Sequence, residues 1–285
     1  MQKRLIVILC GIGGAFLLAE WWQAHEPMLQ HRNAWVGWAW MIGLMAFPSA
    51  MLIQIHRTAR VLGITRGNAI VQPILLAHGI NVLLPSMLGD LYEIGALSRC
   101  SGRTKHVVLV RLIHRFSTTM AALLGLAALA MGTHAPSIGF AMVVVACFAP
   151  LAVDHFTPRW SVRVKVPGAD APPAVEPLGG GCTMNHIALA VLQHSISAVG
   201  VFFLGIGVGQ AISPAVAAAM LSIADVVTYL PVPVGGLGVH HWGISSAAEW
   251  LGAAPDSLIA VNHAWVVVSG IICIMLANWV VDRAK

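Results

Sequence analysis

The sequence predicts an all-α polytopic membrane protein with about six full spans and two re-entrant helical hairpins in an inverted arrangement. The first observation is composition, since hydrophobic residues make up 58% of the 285 residues and charged residues only 9%. Soluble domains contain about 25% charged residues. The second observation is that several apolar runs exceed the ~18 residues needed to cross a bilayer. The third is a pair of Pro/Gly breaks, each followed by an apolar helix too short to span.

Six apolar segments are predicted to cross the membrane. They are Leu5 to Glu20, Trp35 to Ile55, Val107 to Met131, Ile138 to Val153, Ile187 to Val208 and Leu258 to Val281. The first segment ends at Glu20, Trp21 and Trp22 without a small-residue cleavage site. We therefore interpret it as a retained span with an aromatic belt rather than as a signal peptide.

Two further stretches, residues 69–98 and 211–251, each contain a longer arm, a break and a shorter returning helix. The breaks contain Pro85 and Gly89 in the first stretch, and Pro231, Pro233, Gly235, Gly236 and Gly238 in the second. Because proline removes a backbone donor and glycine loosens the backbone, the second arm should stop near Leu230 and its returning helix should begin near Val239. A returning helix of about 12 residues covers only ~18 Å of a ~30 Å hydrocarbon core, which predicts re-entrant hairpins. The first arm of the second stretch has 20 residues and could instead span the membrane completely.

The basic residues give the orientation. If both termini are cytoplasmic and the two hairpins enter from opposite sides, 15 of the 16 Lys and Arg residues lie in the cytoplasm and only Arg32 lies outside. This distribution follows the positive-inside rule. We expect a multi-pass protein of the bacterial cytoplasmic (inner) membrane with both termini in the cytoplasm. The hairpins then form an inverted repeat whose broken tips meet near the bilayer midplane, where transporters bind their substrates.

The region 154–185 is predicted to be a flexible cytoplasmic linker between two membrane halves, residues 1–153 and 186–285. It contains five prolines, a basic cluster and the tract Gly179-Gly180-Gly181. Prolines and glycines at this density are typical of linkers. The glycine tract is not followed by Lys-Ser or Lys-Thr, which argues against a phosphate-binding loop.

Four polar residues share one face of the span that begins at Val107. Arg111, His114, Arg115 and Thr118 are spaced at i, i+3, i+4 and i+7. The arginines could extend to the cytoplasmic interface, as arginines near helix ends do. Alternatively, they line a cavity and hold an anionic head group, since guanidinium binds phosphate in a bidentate way.

Other polar residues flank the two breaks. His78 and Asn81 precede the first break, Asp90 and Glu93 follow it, and Asp225, Thr228 and Tyr229 precede the second. Asp225 could form a salt bridge that fixes the hairpin or could handle substrate or protons, because a carboxylate within a span costs about 2.5–3.5 kcal/mol. Asp90 could simply complement the positive end of its helix. With Gln193, His194 and Ser197 on another span, these stripes predict a shared hydrated interior.

Five histidines could approach one another: His114, His194, His240, His241 and His263. Neither they nor the five cysteines show metal-ligand spacing, so we expect no metal and no cofactor. Histidines beside a cavity could couple transport to protons or respond to pH, because the unperturbed pKa of histidine is about 6.5. Otherwise they are hydrogen-bonded packing residues.

The two breaks resemble a known family. Asn81-Val-Leu-Leu-Pro-Ser-Met-Leu-Gly-Asp90 and Leu230-Pro-Val-Pro-Val-Gly-Gly-Leu-Gly-Val239, with Val110-Arg-Leu-Ile-His114 between them, are similar to the lysylphosphatidylglycerol synthase transmembrane (flippase-like) family. The resemblance implies re-entrant helices and movement of a lipid, often with a charged or glycosylated head group, between leaflets. We expect no attached aminoacyl-transferase domain.

The sequence also departs from that family at several charged positions. The family usually has arginine at the position of Met87, glutamate at that of Asp90 and aspartate at that of His114. It often has another arginine near Glu93, and Arg-Glu where this chain has His240-His241. Because several charges are lost or inverted, the resemblance implies the fold more than the substrate.

Three functions remain open from the sequence. The first is a lipid flippase or transporter for a phospholipid, polyprenyl-phosphate lipid or glycolipid, with substrate-binding residues Asn81, Asp90, Arg111, His114, Arg115, Asp225, His240, His241 and His263. The second is an integral-membrane enzyme that modifies a lipid head group, using Asp90, Asp225 and His241. The third is a non-catalytic partner of a lipid-modifying enzyme. A homodimer or a lipid-synthesis enzyme partner is compatible with each, whereas the scattered basic residues do not predict nucleic-acid binding.

Overall fold

The computed structural model describes residues 34–62, 67–83, 87–102, 104–132, 135–156, 182–210, 212–227, 236–252 and 254–283. In this part of the chain it has nine helices: α1 (Ala34–Leu62), α2 (Gly67–Leu83), α3 (Met87–Ser101), α4 (Thr104–Gly132), α5 (Pro136–Phe156), α6 (Cys182–Gly207), α7 (Pro214–Val227), α8 (Gly236–Leu251) and α9 (Pro255–Arg283). The predicted all-α class is confirmed. The predicted span Leu5 to Glu20, most of the linker, and Pro85, Pro231, Pro233 and Gly235 lie outside the described residues.

Four helices, α1, α4, α6 and α9, are long and apolar enough to cross a membrane, and the chain is a multi-pass membrane protein. They coincide with four of the six predicted spans. The predicted span Ile138 to Val153 corresponds to α5, which is apolar over a shorter stretch, Pro136–Ala149.

The boundaries of the two returning helices differ from the prediction. α3 begins at Met87 as predicted but extends to Ser101 rather than Ser98. α8 begins at Gly236 rather than Val239, so Gly236 and Gly238, predicted to lie in the break, instead lie in the first turn of the helix. Glycine costs little there, because the first N–H groups of a helix have no intrahelical partner in any case.

The antiparallel helices α1 and α6 form the most extensive helix contact, and small residues allow their close approach. A Cβ on Gly43 would lie 2.6 Å from Leu204 Cγ, and one on Gly200 would lie 2.8 Å from Ala46 Cβ. At one end of the pair, Trp40 Nε1 donates a hydrogen bond to the Gly207 carbonyl at 2.9 Å. In a bilayer such close packing replaces the hydrophobic driving force that operates in water.

The helix α9 lies at the centre of the described bundle. In its most apolar window 67% of the residues are buried, against 33–39% in α1, α4 and α6. It packs against α2, α6 and α8, and its Trp265 makes an edge-on contact with Phe47 of α1 at 5.5 Å between ring centroids. The helix α9 thereby connects both hairpins to the helix pair α1 and α6.

The hairpins α2–α3 and α7–α8 end about halfway along the long helices. A Cβ on Gly79 of α2 would lie 3.1 Å from Ile274 Cγ1 of α9, and the nearby Gly270 is close to the middle of that helix. Near the end of α7, Asp225 contacts His194, which lies at the middle of α6. The two hairpins also touch each other through α2 and α8.

Candidate functional site

Six helices, α1, α2, α4, α6, α7 and α9, line a partly open cavity of about 220 Å³. We call it the central cavity. Polar and apolar side chains both form its wall, and the polar ones include the predicted stripes His78–Asn81, Arg111–Thr118 and Gln193–Ser197. Pockets that enclose whole ligands measure ~300–1,000 Å³, so this volume suits a head group rather than a complete lipid.

Five of the predicted substrate-binding residues line the central cavity: Asn81, Arg111, His114, Arg115 and Asp225. Asp90 lies behind this wall, bonded to both arginines. His263 is half-buried on α9 and is not part of the wall, although its neighbour Asn262 is. His240 and His241 lie in the first turns of α8, and their side chains are outside the described part of the chain.

The Asp90 carboxylate binds both arginines of α4. Arg111 Nη2 donates to Asp90 Oδ1, and Arg115 Nη2 donates to Oδ2. Arg111 Nη1 also lies 3.3 Å from Glu93 Oε2. The four side chains are between 4% and 25% exposed, so this network is largely buried. Two acids of α3 thus balance two bases of α4, and the first hairpin is attached to a long helix by charge.

Asn81 connects this network to α2. Its Nδ2 donates to Asp90 Oδ1 at 2.9 Å, and its Oδ1 accepts from the Gly89 backbone N–H at 2.9 Å. A Cβ at position 89 would overlap the Ala77 carbonyl and the Asn81 side chain. The predicted break residue Gly89 is therefore a contact point within the hairpin, where only glycine allows α2 and α3 to approach this closely.

His194 forms the contact between α6 and the second hairpin. Its Nε2 lies 3.0 Å from Ser222 Oγ, and its Nδ1 lies 3.4 Å from Asp225 Oδ2. Because the Ser222 hydroxyl donates to the Ala218 carbonyl at 2.8 Å, the His194 Nε2–H donates to Ser222. The Asp225 side chain is 34% exposed, so its carboxylate remains accessible from the cavity. Both functions proposed for Asp225 from the sequence, the salt bridge and the cavity role, fit this position.

Sequence reasoning missed Gln54 and Arg57 of α1. Arg57 Nη1 donates to Gln193 Oε1 at 3.0 Å, and Gln193 Nε2 donates to Gln54 Oε1 at 3.3 Å. All three residues line the cavity. The spacing of Gln54 and Arg57, one helical turn apart, was a usable signal, but the position of Arg57 near the end of a span favoured an interfacial role.

Sequence reasoning also missed the polar face of α9. Asn262, Trp265, Val266 and Ser269 line the cavity at i, i+3, i+4 and i+7, the same pattern that identified the face of α4. Two polar residues among apolar neighbours give a weaker signal than two arginines do, because only charged residues are strongly depleted from spans.

His114 is buried and lies beside α1 and α6. Its Nδ1 is 3.5 Å from Thr58 Oγ1, and its ring centroid is 5.7 Å from that of His186. Among the described residues, no group of three His, Cys, Asp or Glu side chains could hold a metal ion. The sequence suggested that five histidines approach one another. Among the described side chains, His114 instead contacts His186, and His194 separately contacts Asp225.

Comparison with protein-family models and with curated proteins gave no match to this chain. The resemblance of short motifs around the two breaks to the lysylphosphatidylglycerol synthase transmembrane family therefore stays an expectation from the sequence. Of these motifs, Asn81, Gly89, Asp90, Arg111 and His114 lie in or beside the central cavity.

Proposed function

We propose that this protein is a lipid flippase or lipid transporter that moves an anionic or glycosylated lipid between leaflets through the central cavity. The observation that carries the proposal is the position of this polar cavity. It lies where the ends of α2 and α7 meet the middle of the long apolar helices α9 and α6. A polar cavity at this depth is costly in a membrane protein and is typical of a substrate pathway.

The proposal includes a membrane topology. α2 and α7 have 17 and 14 residues, or roughly 25 and 21 Å at ~1.5 Å per residue, and a full crossing needs about 30 Å. We therefore infer that α2–α3 and α7–α8 are re-entrant hairpins that enter from opposite faces. The charge distribution supports cytoplasmic termini and the bacterial inner membrane.

The size and lining of the cavity suit a lipid head group. The acyl chains would remain in the bilayer, since a cavity of about 220 Å³ is too small for a whole lipid. Amide, hydroxyl and charged side chains from six helices could replace the water that a head group loses on leaving the interface.

The contacts of Asp90 do not favour the enzyme alternative. A general base must be free to accept a proton from the substrate. Asp90 is instead held by two arginines and an amide. A dry and closed interior would favour the non-catalytic alternative. The interior of this protein instead contains a cavity with polar side chains in its wall.

The proposal is tested by reconstitution in vesicles that contain a labelled phospholipid or polyprenyl-phosphate lipid. We expect the wild-type protein to move the label between leaflets, and Arg111→Ala and Asp225→Ala to abolish the movement. Arg99→Ala and Asp256→Ala are matched controls, because both side chains are exposed and away from the cavity. Each variant is compared only after gel filtration shows a folded, monodisperse protein. Wild-type rates in both cavity variants would contradict the proposed site.

A further inference from the structure

Arg57 differs from the other basic residue near the end of α1. Its side chain is only 1% exposed, whereas Arg60, one turn further along the helix, is exposed. Arginines near the end of a span usually extend to the interface and keep the guanidinium in water. Arg57 instead points inward and lines the central cavity.

The charge of Arg57 has no counter-charge among the described residues. Its hydrogen bond is to the neutral amide of Gln193, and its Nε and Nη2 are buried without an acceptor. By contrast, Arg111 and Arg115 are paired with Asp90 and Glu93. A buried cation without a partner is costly, and such residues in membrane proteins mark binding sites or ion pathways.

The other charged side chains in and beside the described cavity wall have partners of their own. The two arginines of α4 contact two carboxylates of α3, and the Asp225 carboxylate lies 3.4 Å from His194. Among the described charged residues that line the cavity, Arg57 is the one without an ion-pair partner. A ligand with a single negative charge would neutralise it, whereas a neutral head group would leave it unpaired.

From these contacts we infer that Arg57 is the anion-binding residue of the central cavity and that its ligand is a singly charged oxyanion, the phosphate diester of a lipid head group. The planar guanidinium fork matches two phosphate oxygens. Gln54 and Gln193 beside it can bond hydroxyl groups of the same head group. The inference rests on the proposed function, and within it selects anionic lipids over neutral glycolipids.

The test is a binding measurement in detergent with two lipids, phosphatidylglycerol and a neutral monoglucosyl diacylglycerol. Wild-type protein should prefer phosphatidylglycerol. Arg57→Gln should weaken its affinity for that lipid by about 10- to 100-fold, the loss expected for a hydrogen bond to a charged group, and weaken glycolipid binding far less. Arg60→Gln, the matched control, should bind both lipids as the wild type does. Equal affinity of the wild type for both lipids, or unchanged affinity in Arg57→Gln, overturns the inference.

If Arg57→Gln does not fold, Arg57→Lys provides the test instead. Lysine retains the charge without the planar fork, so we expect an affinity for phosphatidylglycerol between those of wild type and of a protein without the charge. Unchanged affinity in a folded Arg57→Lys variant overturns the bidentate contact. Water-soluble glycerophosphoglycerol distinguishes the source of the anion. If it displaces bound phosphatidylglycerol, the site recognises the diester itself, and if only the lipid binds, the site recognises a membrane-borne head group.

Binding and translocation are measured on the same preparations, which separates the two proposals. If Arg57→Gln loses lipid binding but the wild-type protein moves no lipid, the anion site is supported and the transport function is refuted. Translocation by the wild type that is unaffected by Arg57→Gln refutes the anion site and retains the transport function.

Discussion

The two hairpins have similar breaks in sequence but are attached to the bundle in different ways. The first is held by charge, because Asp90 and Glu93 of α3 bind two arginines of α4. The second is contacted near the end of α7 by His194, which lies close to Ser222 and to the partly exposed Asp225. Of these contacts, those of the first hairpin are stronger and more buried.

Similar break motifs therefore need not have similar structural roles. A charge network across three helices makes the first hairpin a fixed wall of the cavity. The described part of the second hairpin instead presents a partly exposed carboxylate to the cavity, close to His194. The two attachments should therefore contribute different amounts to the stability of the protein.

Replacing Asp90 by asparagine should cost the most stability. The change leaves Arg111 and Arg115 without their shared carboxylate in a largely buried site, and removing one partner of a buried ion pair costs about 3–5 kcal/mol. The free energy of unfolding in detergent micelles measures the loss. Asp256→Asn is the matched control, since this exposed acid in the first turn of α9 contributes less than about 1 kcal/mol. Similar losses in both variants would show that charge does not anchor the first hairpin.

Gly89→Ala should destabilise the same hairpin by a steric route. The added methyl group would overlap the Ala77 carbonyl and Asn81, and overpacking of this kind costs about 1–3 kcal/mol. Gly95→Ala on the same helix is the control. A Cβ there meets nothing within 4 Å, so this variant should be up to about 1 kcal/mol more stable than the wild type, because alanine favours helices. Thermal unfolding of both variants tests the pair, and equal midpoints would contradict the described α2–α3 contact.

Ser222→Ala should have the smallest effect, because it removes no charge and only the hydrogen bonds of one hydroxyl, to His194 and to the Ala218 carbonyl. We expect a loss of about 0.5–1.5 kcal/mol in the free energy of unfolding. Ser195→Ala is closely matched, since the Ser195 hydroxyl also bonds the carbonyl one turn earlier but is exposed. Its loss should stay within about 0.5 kcal/mol. A loss at Ser222 as large as that at Asp90 would mean that both hairpins are equally well fixed.

Much of the fold could be predicted because membrane segments are encoded locally. The length of an apolar run predicts a span, and α1, α4, α6 and α9 agree with that reasoning. Proline and glycine predict where helices stop, although α8 begins three residues before the predicted start at Val239. Helical spacing also predicted the polar face of α4, which lines the cavity.

The sequence by itself therefore determined the all-α membrane class, the long spans and several of the cavity-lining faces, since these depend on properties that repeat along one helix. Only the tertiary structure decided which charges meet. Asp90 and Arg111 are 21 residues apart, and their pairing depends on the packing of α3 against α4. The burial of Arg57 depends in the same way on α6 and its Gln193. An arginine near the end of a span is exposed or enclosed according to its neighbouring helices, and the distances between helices are not encoded in the spacing along any one of them.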